Sequence, residues 1–140
     1  MPAFEVEPFA HTTFGATVRG LRLASIDEGA FRQLYDTWLE HALLVLPGQF
    51  LTQAEQVAFA RRFGPLELEL VRLSNVKPDG SLRDPDDAGD DVIKILKGNE
   101  GWHADSTYMP VQAKGAVFSA VTVPSSGGQT GFADMRAAYD

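Results

Sequence analysis

The sequence contains no cysteine, so disulfides and thiolate metal sites are both excluded. No apolar run approaches the roughly 20 residues needed to cross a bilayer. The opening stretch, Met1-Pro-Ala-Phe-Glu-Val-Glu7, lacks the basic and apolar regions of a secretory leader. The cytoplasm is therefore the expected location, and no membrane is expected as a partner. Positive charge is also in short supply: 12 Lys and Arg stand against 19 Asp and Glu, for a net charge of -7. Phosphate recognition needs a basic surface, so nucleic acid is not an expected partner either. The 140 residues, 44% of them hydrophobic, have the size and composition of one globular domain. Much of the acidic excess falls at Asp84, Asp86, Asp87, Asp90 and Asp91, interleaved with Pro85 and Gly89. This reads as a solvated loop; it lacks the liganding pattern and closing glutamate of a calcium loop.

Hydrophobic spacing predicts mixed secondary structure. Phe4, Val6, Val18, Leu21 and Leu23, set around Gly15 and Gly20, read as two short strands. Ser25-Ile-Asp-Glu28 has capping-box spacing. The helix after it carries Phe31, Leu34, Tyr35, Trp38, Leu39 and Ala42 on one stripe, expected to pack into the core. Ala42–Leu46 reads as a buried strand ended by Pro47-Gly48. Thr52–Glu55 is a second capping box, and its helix closes with Arg61 and Arg62 before a Gly64-Pro65 stop. Leu66–Leu70 alternates with period two, as a half-exposed strand does. Val92–Lys97, Gly115–Val123 and Thr130–Phe132 are further expected strands. Gly98–Gly101 and Pro124–Gly128 are turns, and Asp134 is placed to cap a helix over Met135–Tyr139. That helix has about one turn before Asp140, too short to be stable alone, so the sequence is expected to be a fragment.

One triplet carries chemistry. In His103-Ala104-Asp105 an imidazole and a carboxylate at i and i+2 of extended backbone point to the same side and can reach one ion. Two histidines and one carboxylate on one face of an octahedron form the open site of non-haem iron(II) oxygenases. Taken alone, such a triplet is better explained by a structural, hydrogen-bonded histidine. His and Asp also ligate zinc, which leaves a zinc hydrolase open.

The surroundings narrow the choice. Asn99-Glu-Gly-Trp102-His-Ala-Asp105-Ser-Thr-Tyr108, followed by Val123-Pro-Ser-Ser-Gly-Gly128-Gln-Thr130, closely resembles the TauD/TfdA family of Fe(II)- and 2-oxoglutarate-dependent dioxygenases. The likeness extends upstream to Leu43–Leu46, Leu51-Thr52 and Phe59–Pro65. Downstream, Asp134–Tyr139 is similar to the aryloxyalkanoate-degrading members.

The resemblance implies a mainly β, α+β fold with a double-stranded β-helix (jelly-roll) core and flanking helices, of which residues 1–140 would be the N-terminal portion. It implies iron(II), with 2-oxoglutarate and O2 as cosubstrates, and hydroxylation of a small organic anion with release of succinate and CO2. The anion would be an aryloxyalkanoate, alkyl sulfate or sulfonate. By the same resemblance His103 and Asp105 are metal ligands, and Thr130 hydrogen-bonds a carboxylate of 2-oxoglutarate. Asn99 and Tyr108 face the substrate in some relatives; as bare residues they read equally as turn and core positions. Trp102 is expected to wall the metal pocket.

Where taurine-specific relatives carry a histidine and a tyrosine, this chain has Glu69 and Arg72. A glutamate would repel a sulfonate, so taurine is not the expected substrate. The family's distal histidine and its 2-oxoglutarate-binding arginine have no counterpart. His41 reads as a surface histidine at a helix end, and His11 has no ligand pattern near it. The chain alone is therefore expected to be inactive, as a metal-binding fragment would be, and a homo-oligomer remains open for the whole protein.

Overall fold

The expected pair of strands forms at the start of the chain. In the computed structural model, β1 (Glu5–Pro8) pairs antiparallel with β2 (Ala16–Arg19), placing Val6 opposite Val18 and Pro8 opposite Ala16. The structure describes residues 3–139; Met1, Pro2 and Asp140 lie outside them. Two compact units are present, one of Met1–Phe59 with Val117–Asp140 and the other of Ala60–Ala116.

In the first unit, alternation along β2 turns Ala16 and Val18 inward, where both are buried, and leaves Arg19 exposed. Gly15, with φ of 92°, leads into β2, where a Cβ would lie 2.5 Å from the Phe9 ring. Only glycine suits both the backbone angle and the space. Helix α1 (Glu28–His41) follows, and then β3 (Leu44–Val45), which pairs in parallel with β2 to give sheet order β1-β2-β3. Helix α1 buries Ala30, Phe31 and Leu34. Phe31 meets Phe59 of α2 (Gln53–Ala60) edge-on at 6.2 Å, and Tyr35 meets Trp38 at 5.6 Å.

Several expectations need correction here. The cap of α1 is Asp27, whose Oδ1 accepts from the Ala30 N–H at 2.8 Å, and Ser25 sits in a short 3-10 turn. Asp and Ser cap equally well; Ile26 stays extended, which moves the helix start to Glu28. Leu39 is 56% exposed and Ala42 is also exposed, because the helix ends at His41 and Ala42 turns out at φ 61°. Val45 is exposed as well, since β3 is a two-residue edge strand. The second capping box forms as expected: Thr52 N–H donates to Glu55 Oε2 at 2.7 Å, and Glu55 N–H to Thr52 Oγ1 at 3.3 Å. The Thr52 hydroxyl also donates to Glu55 Oε2, at 2.7 Å, and this bond, with the smaller help of the Thr52 N–H, lowers the Glu55 pKa.

Neither 115–123 nor 130–132 joins a ladder; both lack regular structure, with bends at Val121 and Thr122. A strand needs a neighbour for its N–H and C=O groups; at 115–123 the Val117 carbonyl accepts instead from Gln56 Nε2 at 2.9 Å. Helix α4 (Met135–Tyr139) is capped by Asp134, which accepts from Arg136 N–H at 3.0 Å. The Arg136 guanidinium reaches the Leu39 and Glu40 carbonyls at the end of α1, each at 3.4 Å.

The second unit departs further from expectation. Residues 66–70 form no strand. Glu69 pairs with Arg61, and Glu67 accepts from Ser106, so the alternating acids serve as tethers. The stretch expected as a strand at 92–97 is helix α3 (Asp91–Gly98). Asp90 caps it, accepting from Val92 N–H at 2.9 Å and Ile93 N–H at 3.4 Å, with Asp91 in the first turn and Lys97 in the last. A cap and charges that complement the helix dipole outweigh the β preference of Val92, Ile93 and Ile95. Asp90 also pairs with Arg83 at 2.6 Å, with both side chains mostly buried. The Arg83 hydrogen bond holds the Asp90 carboxyl below its usual range, against the upward push of burial. Across the described residues the ladders are the three-stranded sheet and an isolated Val76–Leu82 bridge, so helix exceeds strand.

Candidate functional site

The residues expected at the metal site lie just beyond α3. Asn99 is the C-terminal cap of that helix, its N–H donating to the Ile95 and Leu96 carbonyls at 3.1 and 3.2 Å. The chain turns through 99–101 and runs without regular structure over 102–104 before a turn over 105–108. His103 Nε2 and Asp105 Oδ1 lie 3.3 Å apart, so the i and i+2 side chains do converge.

The tautomer of His103 follows from its second contact. Nδ1 lies 2.8 Å from the Gly101 carbonyl oxygen, which can only accept, so Nδ1 carries a proton and Nε2 is the nitrogen turned to Asp105 and open to ligation. Metal-binding histidines are oriented in this way. For bonds of about 2.1 Å at right angles, adjacent ligand atoms lie about 3.0 Å apart. The pair is thus spaced for neighbouring positions on one divalent ion, and imidazole with carboxylate suits iron(II) or manganese(II). Both side chains are substantially exposed. Among the described residues no third His, Cys, Asp or Glu joins them.

The remaining expected residues are placed as follows. Tyr108 is 79% exposed, which excludes a core role within this chain, and its hydroxyl lies 3.4 Å from Glu67 Oε1. Trp102 is 78% exposed, so residues 1–140 do not by themselves pack it as the expected wall. His41, at the end of α1, has a side chain only 17% exposed, with Nε2 4.0 Å from Glu40 Oε1. It is half-buried against the helix end and not a surface group. His11 is exposed in a turn at φ 60°. Thr130 belongs to the first unit and is exposed in a stretch without regular structure. It follows Gly127 and Gly128, at φ 73° and 68°, where a Cβ on Gly128 would lie 3.1 Å from Pro124 Cγ. This is why the turn is written Pro-Ser-Ser-Gly-Gly.

Sequence reasoning missed two residues. Ser106 is buried and takes φ 58°, and its hydroxyl donates to Glu67. Ser106 was visible only as part of the motif. Nothing local links it to a glutamate 39 positions away, and the alternation around Glu67 resembles a strand.

Comparison with known proteins agrees with this frame. The family model described as taurine catabolism dioxygenase TauD, TfdA family matches residues 5–140. The chain is 66% identical over 139 residues to an (S)-phenoxypropionate/alpha-ketoglutarate-dioxygenase of Sphingobium herbicidovorans, covering 99% of this chain and 48% of that protein. It is 38% identical to an alpha-ketoglutarate-dependent 2,4-dichlorophenoxyacetate dioxygenase of Cupriavidus pinatubonensis, covering 93% of this chain and 50% of the relative. The chain therefore spans about half the length of the curated relatives it matches. Among solved structures, AAD-2 in complex with Mn(II) and N-oxalylglycine superimposes with a TM-score of 0.70 at 31% identity, over 79% of this chain and 39% of AAD-2. With nearly its whole length matched, the chain belongs to the TauD/TfdA family of dioxygenases.

Proposed function

We propose that the whole protein is an Fe(II)- and 2-oxoglutarate-dependent dioxygenase that hydroxylates a small organic anion, with release of succinate and CO2. The supporting observation is the His103–Asp105 pair at 3.3 Å within a family-matched frame. An aryloxyalkanoic acid is the favoured substrate class, because the similar phenoxypropionate and dichlorophenoxyacetate enzymes act on such acids. Residues 1–140 would form the N-terminal portion of one jelly-roll domain, whose other half supplies the distal histidine and the arginine that binds 2-oxoglutarate. A cytoplasmic setting goes with this reading, since central metabolism supplies 2-oxoglutarate inside the cell.

When bound, iron supplies the redox chemistry that couples O2 and 2-oxoglutarate to hydroxylation. The residues of this chain hold and orient. His103 offers Nε2, kept in the required tautomer by its bond to the Gly101 carbonyl. Asp105 offers Oδ1 from the start of the 105–108 turn. The Thr130 hydroxyl would donate to a 2-oxoglutarate carboxylate, a charge-assisted bond that fixes the cosubstrate's orientation. Asn99 and Tyr108, exposed on either side of the ligand pair in sequence, would contact the substrate.

The test uses the full-length protein with an aryloxyalkanoic acid. We expect O2-dependent succinate release, lost in His103→Ala. Undiminished succinate from that variant would overturn the site assignment. Turnover without O2 that survives replacement of iron by zinc would mean a hydrolase instead.

A further inference from the structure

We infer that Glu67 is a positioning residue for the metal-ligand turn, holding Asp105 in register with His103 through Ser106. This inference rests on the reading of His103 and Asp105 as metal ligands.

The turn that begins at Asp105 is closed by the Met109 N–H donating to the Ser106 carbonyl at 3.0 Å. Ser106, immediately after the ligand, takes φ 58°, a region that L-residues other than Asn, Asp and Gly rarely visit. Something outside the turn must hold it there. Ser106 is 7% exposed, the one buried polar residue among those described, and a buried hydroxyl needs a partner. That partner is the Glu67 carboxylate, through Oε2. The other carboxylate oxygen, Oε1, lies 3.4 Å from the Tyr108 hydroxyl. One carboxylate thus reaches both Ser106 and Tyr108, and hydroxyl-to-carboxylate bonds are the stronger kind.

The anchor is itself restrained. Two residues on, Glu69 pairs with Arg61, a second contact on the segment that carries Glu67. From the other side, Gln112 Nε2 donates to the Asp105 carbonyl at 2.9 Å. The ligand therefore sits between two side-chain tethers. Without Glu67, Ser106 can leave the left-handed region. That change rotates the backbone next to Asp105 and carries Oδ1 away from His103 Nε2. The geometry of the pair is then no longer set before metal arrives.

The experiment measures Mn(II) binding to the full-length protein, from the electron paramagnetic resonance signal of free Mn(II), with no turnover required. Loss of an outer partner of a metal ligand typically weakens metal binding 10- to 100-fold, and we expect about tenfold for Glu67→Ala and for Ser106→Ala. Because both variants break the Glu67–Ser106 contact, the double variant should bind no more weakly than Glu67→Ala alone. Glu67→Gln keeps an oxygen that can accept from Ser106 and should stay within about threefold of wild type. This rescue separates positioning from a general loss of fold. Wild-type Mn(II) affinity in Glu67→Ala, while His103→Ala loses binding, would overturn this inference and leave the metal reading standing. Wild-type affinity in His103→Ala would overturn the metal reading and this inference with it. Additive losses in the double variant would refute the Glu67–Ser106 link.

Discussion

The first unit buries eight apolar side chains, from Phe4 and Ala16 to Leu34 and Phe59, around β2, α1 and α2. The second unit buries Ile93 and otherwise relies on polar pairs: Arg83 with Asp90, Arg61 with Glu69, and Glu67 with Ser106. Both kinds of contact fix a backbone, but they do so differently. Apolar burial is strong and non-directional, so it sets where a helix lies against a sheet. Hydrogen bonds contribute less each but carry direction. A metal site needs a carboxylate aimed to a fraction of an ångström, and the unit that carries the proposed ligands His103 and Asp105 is the one built on directional contacts.

On this contrast, the largest stability effects belong to the first unit. Leu34 is 2% exposed on α1, and Leu34→Ala should cost about 3–5 kcal/mol, the removed methyl groups plus the cavity they leave. Ile93→Ala, in an eight-residue helix whose neighbours are mostly exposed, should cost about 2 kcal/mol, because such a site collapses more readily. Urea unfolding of the two variants in the full-length protein checks the order. Equal costs would mean that the second unit has an apolar core as consequential as the first.

The next effect probes the polar side of the contrast. Asp90 caps α3 and binds Arg83, which holds its pKa below the ordinary 3.8. A carboxylate with a depressed folded pKa contributes stability that is complete above the unfolded value and lost as pH falls through the folded one. The Arg83–Asp90 contribution should therefore persist down to pH 3.8 and disappear below it. Asp90→Asn should remove this part of the acid transition, followed by circular dichroism. An unchanged acid transition in Asp90→Asn would show that the pair does not hold α3.

The same division explains what the sequence made legible. The strands at 5–8 and 16–19, the Thr52–Glu55 box and the Asp134 cap were all readable, because each depends on residues within a few positions of one another. The His103–Asp105 pair was readable for the same reason. Helix α3 is hidden in the sequence because Asp90 stands among the acids of a loop, which masks its cap, and Val-Ile-Lys-Ile-Leu has β-branched weight. The strands expected at 66–70, 115–123 and 130–132 fail for a different reason. Alternation marks a chain able to pair, and no partner for it is present among the described residues. The Glu67–Ser106 link, at 39 positions, has no local signature at all.

A smaller effect tests one of the readable features. Thr52 caps α2 reciprocally with Glu55, and Thr52→Ala should cost about 1 kcal/mol, the usual loss for an N-cap hydroxyl. Thermal unfolding would show it. No change would mean that packing of Phe59 fixes α2 without its cap.

The smallest stability change comes from two residues that share a backbone strain but not a function. Ala42 and Ser106 take φ 61° and 58°. The Ala42 side chain is an exposed methyl at the end of α1. Ala42→Gly relieves the left-handed cost and gives back part of the gain as unfolded-state entropy, for a net stabilisation of roughly 0.5 kcal/mol. Ser106→Gly relieves the same strain, but it also removes the hydroxyl that reaches Glu67. Its unfolding midpoint should move little, while Mn(II) affinity falls as far as in Ser106→Ala. If Ser106→Gly binds Mn(II) like wild type, the left-handed backbone alone aims Asp105 and the hydroxyl tether is dispensable. If it loses affinity while Ala42→Gly gains stability, the strain in the second unit is maintained by a side chain that the site needs.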